Sequence, residues 1–363
     1  MELLKVKNFA SVTTGGTPST KNKDFWEGGD IPWLNSGELN QNIVKTTRNY
    51  ITELGLKNSS AKLMPENTVL IALTGATTGV VGFLTFEASA NQSVTGILPS
   101  NKHFPKYLFY YLKSIRPKVL HDAYGGAQPH ISQGYVKELK IPLPPLDQQK
   151  KIASILDAAD AYKQKTKALI EKYEELTQSL FLELFGDPVR NPKGWGIFSF
   201  KDVLEIRNGK NQKLIENKNG IYPICGSGGV MSYGDNYISE ADSVIIGRKG
   251  NINKPILMKE KYWHVDTAFG LNPIRYVLEH DYLYWFCVRY NFEQHNKTVT
   301  IPSLTKETLL RIKIPIPPIE LQNQFAERVQ AIEAQKAQTQ ASLAQAEDLF
   351  DSLLQRAFKG ELV

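Results

Sequence analysis

The strongest constraint on this chain is that its sequence repeats itself. Ile141 opens the phrase IPLPPLDQQ, and Ile314 opens IPIPPIELQ 173 residues later. Each phrase leads into about 35 residues rich in Ala, Gln, Lys and Glu that contain neither Pro nor Gly. Upstream the echo continues: YLFYYL at Tyr107 answers YLYWFC at Tyr282, and TVLIALTG at Thr68 answers SVIIGRKG at Ser243. QPHIS at Gln128 likewise answers IPSLT at Ile301. At the front, VKNFASVTTG from Val6 matches FKDVLEIRNG from Phe200 at a wider interval of 194. The two copies therefore differ in length by about 21 residues, as expected when a scaffold is kept while its loops diverge.

Each copy has the same order: a mixed globular segment, a Pro-Pro punctuation, then a long helix. The globular segments hold short apolar runs (Val69–Leu73, Val244–Ile246, Ile256–Met258) broken by Gly, Asn and Thr, which read as strands in a loop-rich α+β domain. After Pro144–Pro145 the apolar residues fall in heptad steps. Ile152, Ala159, Thr166, Tyr173 and Leu180 take one position, and Ile155, Tyr162, Leu169 and Leu176 the other, which predicts a coiled-coil seam. Gly186 and Pro188 end that helix. The second helix, after Pro317–Pro318, carries Phe325, Val329, Ile332, Thr339, Leu343, Ala346, Phe350 and Leu353 on one stripe, interrupted by Lys336, and stops near Gly360.

A helix of this length spans roughly 60 Å at about 1.5 Å per residue and is marginal alone, since its narrow stripe needs a partner. The expected fold is α+β: two duplicated α+β domains separated by two long helices forming an antiparallel coiled coil. Its segments are residues 1–144 (first domain), 145–186 (first helix), 187–317 (linker and second domain) and 318–363 (second helix and C-terminus). A helix packed only on its own domain, or used as a homodimer zipper, is the alternative.

Composition narrows the function classes. No apolar run is long enough to span a membrane, and the first twenty residues lack an apolar signal core, so a cytoplasmic location is expected. Cys225 and Cys287 stand alone, without a CxxC or paired histidines, which argues against both a disulfide framework and a zinc site. The net charge of +6 favours a polyanionic partner only slightly.

Four local phrases in this duplicated frame resemble one family. GGTPST at Gly15 followed by FWEGGDIPWLNSGEL at Phe25 is similar to the opening of a recognition domain. IPLPPLDQQKKIA at Ile141 is similar to the start of a conserved helical region. FGDPVRNPKGW from Phe185 resembles an interdomain connector, and AFKGELV at Ala357 a C-terminus. In this order, over essentially the whole chain, they resemble the specificity subunits of type I restriction–modification systems. The resemblance implies two target recognition domains that read a bipartite target in double-stranded DNA, one half-site each, across unspecified bases. It implies that the helices set the separation and dock two methylation subunits, which use S-adenosylmethionine to methylate adenine at N6. It leaves open whether ATP-dependent restriction subunits join. The specificity subunit itself performs no chemistry and carries no cofactor.

The residues agree with that division of labour. The Pro pairs sit in LPPL and IPPI, not in the Asn/Asp-Pro-Pro-aromatic tetrapeptide of an adenine methyltransferase, and no phosphate-binding loop of the Gly-x-x-x-x-Gly-Lys type occurs. Asn191-Pro192-Lys193 reads as a connector turn, and Gly226–Gly229 as a tight turn without a dinucleotide-binding context. Glu138-Leu139-Lys140 has the ExK spacing of nuclease metal sites, a common triplet to which no metal role is assigned. The six histidines lack ligand spacing.

Reading duplex DNA needs cations for phosphates, and guanidinium or amide groups for base edges. In the first domain the candidates are Thr17, Lys21, Lys23, Asn35, Ser36, Lys45, Arg48, Thr74, Thr77, Asn91, Gln92, Gln128 and His130. In the second they are Asn208, Lys210, Asn211, Lys213, Ser227, Arg248, Lys249, Asn251, Asn253, Lys254, His264, Asp266, Lys297 and Ser303. GRKGNINK from Gly247 is the richest stretch, setting cations and asparagines between glycines directly after an apolar strand. Its counterpart TGATTG from Thr74 is uncharged, so hydroxyls and backbone would do the reading there. Trp26 and Trp33 read as core residues. The helix lysines Lys163, Lys165, Lys167 and Lys172, mixed with Glu171, Glu174 and Glu175, read as a solvated or docking face. The competing readings are a stand-alone DNA enzyme and a coiled-coil adaptor blind to sequence; a type II system with a separate specificity chain is a variant of the recognition-subunit reading.

Overall fold

The computed structural model describes residues 3–296 and 302–362. They form two compact units, Met1–Lys165 with Ser342–Val363 and Thr166–Ala341. The main helices are α1 (Pro105–Ser114), α2 (Leu146–Phe185), α3 (His280–Arg289) and α4 (Ile319–Lys359). Helix α2 begins in the first unit and ends in the second, and α4 does the reverse. Within each unit the start of one long helix therefore packs against the end of the other, antiparallel.

The strands of the first unit are β1 (Leu3–Lys5), β2 (Val12–Thr14), β3 (Ile31–Leu34), β4 (Ile43–Val44), β5 (Asn49–Ile51), β6 (Val69–Ala72), β7 (Val81–Leu84), β8 (Ser89–Ala90), β9 (Val94–Ile97) and β10 (Lys140–Pro142). They make a five-stranded sheet ordered β2-β9-β6-β7-β4, a three-stranded sheet β5-β3-β8 and a β1-β10 pair. The strands of the second unit are β11 (Gly196–Ser199), β12 (Leu204–Asn208), β13 (Tyr222–Gly226), β14 (Gly229–Gly234), β15 (Ser243–Gly247), β16 (Ile256–Met258), β17 (Trp263–His264), β18 (Ala268–Pro273) and β19 (Lys313–Ile316). Their sheets are β12-β18-β15-β16, β14-β13-β17 and β11-β19.

The duplication holds at the level of single hydrogen bonds. Tyr107 Oη donates to Pro142 O at 2.7 Å and Tyr282 Oη to Pro315 O at 2.6 Å. Gln149 takes the backbone N–H of Phe104 on Oε1 and donates Nε2 to Pro144 O, while Gln322 does the same with Glu279 N and Pro317 O. Both glutamines are fully buried, so the clamp fastens the first turn of each long helix to its domain. The extra length of the first copy is also placed. In the parallel pairs Leu34–Ala90 and Cys225–His264, Leu34 answers Cys225 at an interval of 191 and Ala90 answers His264 at 174. Seventeen of the additional residues thus fall between β3 and β8. There a helical turn (Ser36–Gln41) and β4 replace the tight Gly226–Gly229 hairpin of the second unit.

The central strands β6 and β15 are buried along their whole length, which accounts for their unbroken apolar sequence. Val69 and Ile71 face the cluster around α1, with Tyr107, Leu108 and Tyr110, whereas Leu70 and Ala72 pack with Leu34, Leu84 and Ala90. In the second unit Val244 and Ile246 join Tyr282, Phe286, Phe181, Phe185 and Phe325 in one cluster. Each such side chain contributes about 2 kcal/mol by leaving water, so the aromatic ends of the helices supply most of their anchoring.

The helix seam differs from the sequence expectation. The line facing the core on α2 runs through Ile152, Leu156, Ala159, Lys163, Thr166, Ile170, Tyr173, Thr177 and Leu180, alternating four and three. One predicted row is in it; the other is not. Ile155, Tyr162, Leu169 and Leu176 are 38–54% exposed. Of two neighbouring rows the more apolar one is left exposed, and the protein buries the other. Lys163 lies in the seam, ion-paired to Asp160 at 3.0 Å with its ammonium 4.1 Å from the centre of the Phe350 ring. On α4 the predicted stripe is the core-facing one, and Lys336 continues it.

Candidate nucleic-acid interface

Each unit builds one loop platform from the same backbone bonds. In the first unit, Leu73 N donates to Ser93 O, Ile131 N to Leu73 O, and Gly75 N to Pro129 O at 3.0 Å. In the second, Arg248 N donates to Thr267 O, Leu304 N to Arg248 O, and Gly250 N to Pro302 O at 3.0 Å. Gly75 and Gly250 have φ of +74° and +79°, the left-handed region that a side chain disfavours, and this explains why both loops keep glycine there. A second pair of bonds brings in the loop after the first strand of each main sheet. Gly16 N donates to Ala90 O, and Lys210 N donates to His264 O.

On the first platform these bonds collect Thr74, Thr77, Asn91, Gln92, Gln128 and His130. Thr74 forms a β-bridge with His130, and Thr17 Oγ1 donates to Gln92 Oε1. Asn35, Ser36, Lys45 and Arg48 gather beside it. Glu38 accepts from Asn35 N at 2.9 Å and Arg48 N at 3.0 Å, and Asn91 N reaches Leu34 O at 2.8 Å. Lys21 and Lys23 are exposed on the loop that Trp26 closes through Nε1 to Ser19 O, and no bond ties them to the platform among the described residues. Trp26 and Trp33 meet edge to face at 5.1 Å, inside or at the edge of a core cluster.

On the second platform Lys249 bridges Ser303, and Ser227 lies against the Gly247–Asn251 turn. Arg248, Lys249, Asn251, Lys210, Asn208 and Asp266 are exposed around it. Asn208 and Asn251 make no side-chain hydrogen bond among the described residues, so both amide atoms stay available, as pairing with an adenine edge requires. Several other asparagines already use their carbonyl oxygen. Asn35 accepts from Gly37 N, Asn91 from Ser93 N, and Asn211 from Lys213 N. Asn253 is tied on both atoms, to Asn291 and to Phe292 N. Lys213 and Lys254 are exposed. Lys297 lies outside the described residues.

One candidate is corrected. His264 is fully buried, with Nε2–H donating to Arg207 O at 3.1 Å, and burial lowers its pKa to about 4. Its ring is a core group of β17 and presents nothing to a ligand. The sequence window around it was polar enough to read as a loop; only the pairing of β17 with β13 shows otherwise. Conversely, Tyr124 escaped notice. It is 59% exposed, packs edge to face on His130 at 4.9 Å and precedes two glycines of positive φ, a Tyr-Gly-Gly signal beside the loop of Gln128 and His130. Val230, Met231 and Tyr233, exposed on the edge strand β14, escaped notice too.

The structure explains the residues that suggested chemistry. Glu138 is held by Lys5 at 2.8 Å and by Lys7, and hydrogen bonds to the two ammonium groups lower its pKa to about 2. Glu279, His280 and Asp281 bring possible metal-ligating atoms together, but Lys259 Nζ stands 3.2 Å from Asp281 Oδ1 and 3.0 Å from His280 Nε2, so a lysine already supplies the positive charge. Cys225 and Cys287 are both buried, and burial pushes the Cys225 thiol up to about 11. No described helix is long and apolar enough to cross a membrane.

Comparison with known proteins decides the family. The family described as "Type I restriction modification DNA specificity domain" matches residues 1–175 and 192–348. The chain belongs to it. Among its relatives, the MjaIX specificity subunit of Methanocaldococcus jannaschii is 31% identical over 230 residues, 58% of this chain and about half (53%) of that one. The EcoprrI specificity subunit of Escherichia coli is 25% identical over 354 residues, 89% and 85% of the two chains. A crystal structure of the type I S subunit from M. genitalium shares the fold, with a TM-score of 0.63 at 16% identity over 98% and 95% of the chains. The two relatives are named specificity subunits of type I restriction enzymes, and the chain spans about half the length of the first of them.

Proposed function

We propose that this specificity chain reads a bipartite, asymmetric target in double-stranded DNA, one half-site per unit, through the two loop platforms. The observation that carries the reading is that one set of backbone bonds holds both platforms while their side chains differ. Thr74, Gln92 and His130 stand where the second unit has Lys249, Asp266 and Ser303, and Leu73 and Ala76 stand where it has Arg248 and Asn251. A fixed frame with exchanged side chains is what two different half-sites require. Arg248, Lys249, Lys210 and Lys45 supply phosphate or guanine contacts, and the amides and hydroxyls supply adenine edges or water-mediated contacts.

The long helices dock the methylation subunits in this reading. Its support is the row Ile155, Tyr162, Leu169 and Leu176, four exposed apolar side chains at seven-residue spacing on one face of α2, in a chain of ordinary polar surface. Adenine methylation, and cutting where restriction subunits join, then belong to the partners. Cells expressing the chain with its neighbouring methylation subunit should gain a gapped, asymmetric N6-methyladenine motif that is missing when the chain is deleted. A stable complex that adds no motif contradicts the reading.

A further inference from the structure

The two units also diverge where α1 and α3 meet the long helices, and each divergence there changes a charge or a volume. In the first unit, the face where α1 meets the long helices is filled by the chain's own cations. Lys106 pairs with Asp157 at 2.9 Å and lies 4.8 Å from the Phe83 ring centre. Lys113 stands 5.1 Å from the Phe109 ring and 5.8 Å from the Phe350 ring, and Lys163 stands over Phe350. The equivalent positions in the second unit follow from the shared strands and helices. Lys106 becomes Asp281, Lys113 becomes Val288, Phe350 becomes Thr177, and Asp157 becomes Gln330.

The consequence is an open groove of about 1080 Å³ in the second unit, between α3, β16 and the helix pair. Its floor holds Leu257, Tyr284 and Trp285, and its lining has five carboxylates against two lysines. Those lysines are engaged, Lys336 with Glu174 at 2.9 Å and Lys259 with Asp281. Asp242 is paired with Arg275 at 3.4 Å, which leaves Glu327 and Glu333 as the exposed carboxylates of the lining outside these pairs. On a chain whose net charge is +6, an acidic aromatic groove is turned to a cationic ligand and away from nucleic acid.

We infer that this groove receives a basic segment of the methylation subunit, which places lysine or arginine heads over Tyr284 and Trp285 and against Glu327 and Glu333. The first unit supplies the template, because there the same pocket is occupied by ammonium groups on aromatic faces and by one intervening phenyl ring. The inference rests on the docking reading above and gives it a location.

The test rebuilds the first unit's filling inside the second. A full-length variant carrying Thr177→Phe, Lys259→Thr, Asp281→Lys, Val288→Lys and Gln330→Asp reproduces the set found with Thr85 in the first unit. A milder variant, Glu327→Lys with Glu333→Lys, changes only surface charge and guards against misfolding of the first. Affinity for the purified methylation subunit and for duplex DNA is measured with each. At least tenfold weaker subunit binding in the filled variant, several-fold weaker binding in the charge variant and unchanged DNA binding support the inference. Unchanged subunit binding in both variants overturns it and leaves the docking reading standing. Loss of DNA binding, or of self-association, overturns it by naming another occupant. A wild-type chain that does not bind the methylation subunit removes the docking reading and this inference together.

Discussion

Lys336 Nζ lies 2.9 Å from Glu174 Oε1, a cross-helix ion pair at a seam position where the heptad pattern calls for an apolar residue. The lysine is 17% exposed and the glutamate 60%. Burial acts to lower the Lys336 pKa, but the hydrogen bond to Glu174 and the nearby carboxylates overcome it and raise the net value. The pair restores polar satisfaction at the cost of seam packing.

Replacing the ammonium is therefore cheaper than orphaning it. Lys336→Leu should unfold at or above the wild-type urea midpoint, whereas Glu174→Ala should lose about 0.5–1 kcal/mol. Urea titrations of the two variants check this, and the reverse order contradicts the role given to the pair.

Gln149 and Gln322 make a sharper demand, because each is buried and satisfies groups on both its domain and its helix. Gln322→Leu strands Glu279 N and the carbonyls of Val277 and Pro317. A cost of about 2–4 kcal/mol is expected from buried groups left unpaired. Hydrogen exchange should show the added opening at Glu279 in the second unit, with Phe104 in the first unit unaffected; uniform loosening of both would contradict the clamp.

Acid should weaken both units through one histidine each. Burial lowers His103 and His264 from 6.5 to about 4, so the unfolded chain binds protons that the folded chain refuses. Their contribution is complete above about pH 6.5 and is lost as pH falls toward 4. The loss amounts to roughly 3 kcal/mol per site at order of magnitude. Urea midpoints at pH 7, 6 and 5 should fall, and His103→Gln with His264→Gln should flatten the slope. An unchanged slope would show that other groups carry it.

Salt separates the roles proposed on the second platform. Lys249→Ala should weaken binding to all duplexes and reduce the log–log salt slope by about one, whereas Arg248→Ala should cost about 1–3 kcal/mol only on targets bearing the cognate base pair. Binding measured between low and moderate salt distinguishes these, and equal losses on every duplex for Arg248→Ala would make it a phosphate contact.

Much of this was legible in the repeats. The intervals of 173 and 194 located two copies and an insertion, and the aligned phrases TVLIALTG and SVIIGRKG marked the strands that precede both platforms. The seam of α2 was read one residue off on alternate turns. Adjacent rows at 155 and 156 are both apolar there, and only the surfaces of the domains decide which one is covered. His264 was misplaced for a related reason: WHVDT looks like a polar loop until β13 pairs beside it. The open groove was invisible in the sequence, since it arises from substitutions on α2, α3 and α4 that meet only in space.

The central claim is that each unit reads its own half-site. Its most direct test is methylation mapping in cells that carry the methylation subunit with either the wild-type chain or the Arg248→Ala, Lys249→Ala chain. The account predicts that one half of the gapped motif becomes degenerate or methylation falls, while the sequence of the other half and the spacer stay as they were. Simultaneous change in both half-sites, or an ungapped motif in the wild type, would contradict it.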